Sequence, residues 1–113
     1  MCADDRTRLE HMLDAAQKAN EFVQGRCRED LDIDPMLNFA LIRAFEIIGE
    51  AARGISEEFR AHHPEIPWSD VISMRNHLIH GYFVINLTIV WETATQDIPG
   101  LLAHLNRIVA EGI

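Results

Sequence analysis

Leu37, Leu41, Ala44, Ile48, Ala51 and Ile55 recur at three- and four-residue steps, and no other feature constrains the fold of this chain as strongly. Such spacing lays one apolar stripe along a helix. Asp34 can cap that helix, Pro35 suits its first position, and Gly54 lies near its end. A second stripe of Leu9, Met12, Leu13, Ala16, Ala19 and Val23 predicts a helix over about residues 5–24. Asp4 and Asp5 suit its N-terminus, and Gly25 is a good stop. Residues 26–33 are polar around an isolated Leu31 and predict no definite element. Ser56 can cap a short helix through Ala61, ended by His62-His63-Pro64. Pro64 and Pro67 bracket a tight connection into a third long helix, predicted from Trp68 or Ser69 to about Gly81, where glycine favours the C-terminal conformation. Asn86 can cap a last helix over residues 87–108, in which Pro99 predicts a kink or brief break near Asp97-Ile98. Strand signals are weak. The expected architecture is all-α: an antiparallel bundle of four long helices plus a short one.

The bulk numbers fit one domain over residues 1–113. An apolar fraction of 48% and a charged fraction of 25% are ordinary for a globular chain. The net charge of −8 argues against a broad nucleic-acid-binding surface, which is normally basic, but leaves room for a local cationic site. Cys2 and Cys27 have neither metal-ligand nor disulfide-framework spacing, so free thiols in a reducing cytosol are expected. No N-terminal stretch has a signal-peptide pattern, and no apolar run approaches the ~18 residues of a membrane span. A cytoplasmic protein without a membrane partner is the expectation.

Arg75-Asn76-His77-Leu78-Ile79-His80-Gly81-Tyr82 interrupts this orderly pattern. On a wheel of about 100° per residue, Trp68, Ile72 and Ile79 fall within roughly 60° on one side of Arg75. Val71, Leu78 and Met74 fall on the other, so Arg75 sits in the middle of an apolar face. A guanidinium keeps its charge, and burying it unpaired is costly. It must pair with a carboxylate, face a partner chain or line a site. On the second long helix, Arg43, Glu46, Glu50 and Arg53 cluster within roughly 80°. That face is either solvated and laced with internal ion pairs, or supplies Glu50 or Glu46 as the partner of Arg75.

Several chemistries are excluded. His77 and His80 are three residues apart, with His62, His63 and His104 as further candidate ligands. No Cys-x-x-Cys or His-Glu-x-x-His accompanies them, so neither a metal nor a cofactor is expected. Gly-x-Ser-x-Gly and Gly-rich phosphate loops are absent, and neither cysteine has a positioned base. Arginine with histidine remains, a pair suited to phosphodiester chemistry. A histidine moves protons near neutral pH, and an arginine offers a charged fork for phosphate. RNA carries its own nucleophile in the 2′-hydroxyl, so such a reaction needs no metal. Asn76 could orient the phosphate or the histidine, and Tyr82 could donate a hydrogen bond or stack on a base. Arg75 and His80 lie roughly 140° apart on an ideal helix. Convergence requires loosening of the helix before Gly81, or a two-fold axis bringing Arg75 of one chain towards His80 of another. The plainer alternative is a helix C-terminus: His77 and His80 favoured by the dipole, Gly81 capping, and Arg75 as a buried partner of Glu50.

The spacing Arg75, four residues, His80, one residue, Tyr82 resembles the Arg-x4-His-x-Tyr signature of the HepT toxins, in the HEPN superfamily of small α-helical nucleases and nucleotide-binding proteins. Ile47-Ile48-Gly49-Glu50-Ala51-Ala52 looks like that family's Gly-Glu-Ala helix, and Ile66-Pro67-Trp68 its entry into the signature helix. Ile85-Asn86, Val90-Trp91, Ile98-Pro99 and Leu101 look like its last helix. The resemblance covers about residues 8–110. It implies a homodimeric HEPN-like bundle with the signature in a cleft at the interface. It further implies the toxin of a type VII toxin–antitoxin system, a metal-independent endoribonuclease that leaves a 2′,3′-cyclic phosphate. Arg75 and His80 would be catalytic, Asn76 assisting, and Glu50, His77 and Tyr82 supporting. The implied partners are RNA and an MntA-like nucleotidyltransferase antitoxin that adds AMP to Tyr82. The competing expectation is a non-catalytic nucleotide- or partner-binding helical dimer; a third is a plain structural bundle.

Overall fold

The computed structural model describes residues 3–74, 76, 79–80 and 84–112, with backbone alone at 3, 79, 80 and 84. Helix α1 (Ala3–Phe22) carries Asp4 and Asp5 in its first turn and buries Leu9, Met12, Ala16, Ala19 and Val23 just beyond it. Gly25 adopts φ 73°, the left-handed turn that ends the helical run. The polar stretch that follows folds into a short helix α2 (Asp30–Ile33), which buries only Leu31. The Asn38 amide donates to the Leu31 carbonyl at 2.6 Å, and Arg26 pairs with Asp30 and Asp34.

Helix α3 (Pro35–Gly54) starts as its sequence predicts. Asp34 accepts from the backbone N–H groups of Met36 and Leu37, and Pro35 occupies the first turn. Its stripe is buried throughout, with Phe45 and Ile48 at zero exposure. The long helices α1 and α3 run antiparallel: the start of α1 meets the end of α3, where Asp5 accepts from Ser56 and Arg8 lies against Gly54.

Helix α4 (Glu57–His62) is capped by Ser56, whose Oγ accepts from the Phe59 N–H at 3.2 Å. The same serine donates its hydroxyl to Asp5 at 2.7 Å and its N–H at 2.8 Å. Asp5 is only 3% exposed, so this carboxylate ties the start of α1 to the end of α3 and the start of α4. Asp5→Ala removes the buried carboxylate that accepts both of these part-buried hydrogen bonds. A loss of about 1–3 kcal/mol in urea-unfolding stability is expected, and a loss within experimental error would show the tie to be dispensable.

The largest departure from the sequence-based expectation follows. Helix α5 (Trp68–Ile72) ends at Ser73, not near Gly81. Met74 and Asn76 are helical again, but by Ile79 the chain is extended. Strand β1 (Ile79–His80) pairs antiparallel with β2 (Val84–Ile85), Ile79 opposite Ile85 and His80 opposite Val84. Two causes are local. The Ser73 hydroxyl bonds back to the Ser69 carbonyl at 2.9 Å, a contact that competes with helix continuation. Ile79, Val84 and Ile85 are β-branched and favour pleated pairing. The all-α reading holds, with this two-residue ladder as its one sheet among the described residues.

The chain closes with α6 (Leu87–Glu92), capped by Asn86, and α7 (Ile98–Ala110), joined by a π-helical turn over Thr93–Asp97. The break expected near Asp97-Ile98 is therefore present, as a π-helical turn that ends at Asp97. A proline ring crowds the carbonyl four residues before it, here Thr95, and a wider turn relieves that clash. Among the described residues no helix is long and apolar enough to cross a membrane.

Candidate functional site

The site begins with the seating of α5. At its entry, the Trp68 indole N–H donates to the His63 carbonyl at 2.9 Å, and the Trp68 ring meets Phe59 edge-on at 6.3 Å. At its far end α5 lies against α3 at Gly49. A Cβ there would stand 3.0 Å from the Ile72 carbonyl oxygen and 3.3 Å from that of Val71. Only a residue without a side chain allows this approach. Gly49→Ala must push two backbone carbonyls away, and a loss of about 1–3 kcal/mol in stability is expected. Urea unfolding checks it, and an unchanged midpoint would mean the seam is loose.

This close seam creates a groove of about 220 Å³ lined by Phe45, Glu46, Gly49, Glu50, Arg53, Ile72 and Asn76. Two predicted site residues, Glu50 and Asn76, thus share one groove, and both are exposed. The Asn76 backbone N–H donates to the Ser73 carbonyl at 2.9 Å, which fixes this residue at the edge of the groove it lines. His80 follows on β1, its backbone paired with Val84. Because the chain is already extended there, the roughly 140° separation of Arg75 and His80 on a continuous helix no longer applies. Arg75, His77 and Tyr82, and the expected pairing of Arg75 with Glu50 or Glu46, lie outside the described residues, as does the His80 side chain.

Glu50 has no ion-pair partner among the described residues. On its other side lies a cavity of about 410 Å³ between α1 and α3, lined by Asp4, Thr7, Arg8, His11, Arg43, Ile47, Glu50 and Ala51. Glu50 is therefore a ridge between two depressions. Arg8 and His11 on α1 were not legible as site neighbours, because nothing in the sequence says which face of α1 lies beside Glu50. Gly49 was visible as part of a motif, but not as the contact that builds the groove.

The other candidates are engaged elsewhere. His62 Nδ1 meets the Glu58 carbonyl at 2.8 Å, His63 Nδ1 meets Glu65 at 3.2 Å, and His104 contacts Arg107. Backbone hydrogen bonding, helped by His63, holds the Glu65 carboxyl below its usual range against a smaller opposing effect of burial. The exposed Cys27 thiol is pushed up, chiefly by its hydrogen bond with Glu29 and further by desolvation and the charge of Asp30. A thiol so placed is a poor nucleophile.

Residues 12–108 match the family described as "Ribonuclease HepT-like". The protein named "Probable ribonuclease HepT" from Thermococcus cleftensis is 41% identical over 100 residues, covering 88% of this chain and 91% of its own. A relative from Caldanaerobacter subterraneus subsp. tengcongensis, whose name provisionally makes it an RNase, is 42% identical over 101 residues, covering 89% of this chain and 90% of its own. No solved structure matches the chain. With nearly the whole bundle matched, including α3, α5 and the signature that follows α5, the chain belongs to the HepT-like ribonucleases of the HEPN superfamily.

Proposed function

We propose that this chain is the toxin of a type VII toxin–antitoxin pair and cleaves RNA without a metal. The carrying observation is the groove at the α3–α5 seam: it joins Glu50 and Asn76 at the point where a chain of this family runs on to His80. In this reading the Arg75 guanidinium grips the scissile phosphate and offsets the charge that develops on it. His80 moves the proton between the ribose 2′-hydroxyl and the leaving 5′-oxygen. The 2′-oxygen forms its bond to phosphorus as the bond to the 5′-oxygen breaks, leaving a 2′,3′-cyclic phosphate and a 5′-hydroxyl. Asn76 orients the phosphate, while Glu50 and His77 support the charged pair.

A homodimer completes the site, bringing Arg75 of one protomer towards His80 of its partner. Ile33, Met36 and Phe39 are 79%, 81% and 71% exposed, an unusual display of apolar surface across the end of α2 and the start of α3. Met36 and Phe39 fall within about 60° of Arg43 and Glu50 on the helical wheel, so this surface continues into the groove face.

The proposed antitoxin is an MntA-like nucleotidyltransferase that adds AMP to Tyr82. Phosphates attached beside Arg75 would occupy its guanidinium and repel RNA. The pair would act in the cytoplasm, where Cys27 remains a free thiol.

Two measurements test this function. Purified protein in EDTA should convert RNA to fragments with 2′,3′-cyclic ends. Coexpression with the nucleotidyltransferase should add AMP-sized mass to the intact chain, absent in Tyr82→Phe, the only tyrosine having been removed. RNA or partner binding without turnover would instead establish the non-catalytic dimer.

A further inference from the structure

A chain with ten lysines and arginines and a net charge of −8 shows by its ion pairs where cations remain available. Arg6 pairs with Glu10 at 3.2 Å, Lys18 with Asp14 at 2.9 Å, Arg28 with Asp32 at 3.2 Å, and Arg26 with Asp30 and Asp34. Arg8, Arg43 and Arg53 have no carboxylate partner among the described residues. All three line the two depressions that meet at Glu50: Arg8 and Arg43 with His11 on one side, Arg53 with Asn76 on the other. The other described arginines without a carboxylate, Arg60 and Arg107, line neither.

The position of Arg8 is built in. A Cβ at Gly54 would collide with the Arg8 guanidinium, so the missing side chain lets Arg8 lie across the end of α3, one residue from Arg53. Asp4, Glu46 and Glu50 line the same surface. Their charges repel phosphate, so a strand is confined to the line of guanidinia instead of spreading over a basic face.

We propose that the two depressions form one track for the phosphodiester backbone of single-stranded RNA. Arg53 holds the phosphate beside the Asn76 groove. Arg8 and Arg43, with His11, hold phosphates further along the strand, over the α1–α3 cavity. The inference rests on the ribonuclease reading of the groove, and it explains how an acidic protein binds a polyanion.

The test is fluorescence anisotropy with a labelled single-stranded RNA whose riboses are 2′-O-methylated, so that binding is read without cleavage. Arg8→Gln and Arg43→Gln should each weaken binding several-fold at about 0.1 M salt and lower the slope of log affinity against log salt by about 0.7. Gly54→Val should weaken binding with no change in net charge, because it displaces Arg8. Asp4→Asn should strengthen it. Lys18→Gln, which removes a paired cation on the surface of α1, should leave it unchanged. Melting curves and oligomeric mass should match the parent in every case. The track is overturned if Arg8→Gln and Arg43→Gln bind like the parent, if Lys18→Gln loses as much, or if weakening comes only with a change in oligomeric mass. Cleavage of unmodified RNA is scored separately. A parent that binds by this pattern without cleaving sinks the ribonuclease reading and keeps the track. One that cleaves with indifferent arginine variants does the reverse, and one that neither binds nor cleaves sinks both.

Discussion

Replacing His80 with alanine is expected to slow RNA cleavage by about 10²- to 10⁴-fold, the usual contribution of a positioned acid–base group. The fold should survive. His80 contributes its backbone to the β1–β2 ladder opposite Val84, and alanine keeps those backbone hydrogen-bonding groups. His80→Gln separates proton transfer from hydrogen bonding, because glutamine keeps a polar side chain but cannot titrate in this range. It should be nearly as inactive as alanine. Single-turnover cleavage under EDTA, with thermal unfolding as the fold control, decides the matter. An alanine variant that cleaves at half the parental rate or better would remove His80 from the chemistry.

The largest effect on stability is expected at Phe45. It has zero exposure, sits mid-way along α3, and also forms part of the floor of the groove beside Glu46 and Gly49. Phe45→Ala removes an aromatic ring from a closely packed interior and leaves a cavity, at a cost of about 3–5 kcal/mol. Against a total stability of about 5–15 kcal/mol for a domain of this kind, many molecules would be close to unfolding at growth temperature. Phe45→Leu, which keeps most of the volume, should lose markedly less. Urea unfolding of both variants provides the measurement. A cost below about 1 kcal/mol for alanine would mean that the neighbours collapse readily into the space, and that Phe45 does not support the groove.

What the sequence revealed, and what it withheld, follows from the range of the forces involved. The α3 stripe and the caps at Asp34, Ser56 and Asn86 depend on a few consecutive residues, and each is found where the sequence puts it. Pro99 acts over one turn, so a break near Asp97-Ile98 was legible, but not its form, a π-helical turn that begins at Thr93. Helix α2 was illegible because contacts outside it hold the segment: Asn38, the Arg26–Asp34 pair, and Arg28 reaching Thr88 at the start of the last helical run. The end of α5 misled for a different reason. The apolar period of Trp68 to Ile79 suits a helix, yet Ile79 finds a strand partner at Ile85, and periodicity carries no information about that pairing. The same division applies to the site. Glu50 and Asn76 were nominated from sequence and share a groove. The contact that joins them, Gly49 against the Ile72 carbonyl, belongs to tertiary packing and had no signal of its own.

The β1–β2 ladder is only two residues long on each side, too short to hold itself together in water. His80 is therefore carried by a piece of chain that borrows its shape from whatever it rests on. On the proposed reading of His80, cleavage and overall folding become separate properties of the molecule. Heat, a binding partner or a modification would then silence cleavage by re-aiming a few residues, with the helical body left whole and ready to resume work.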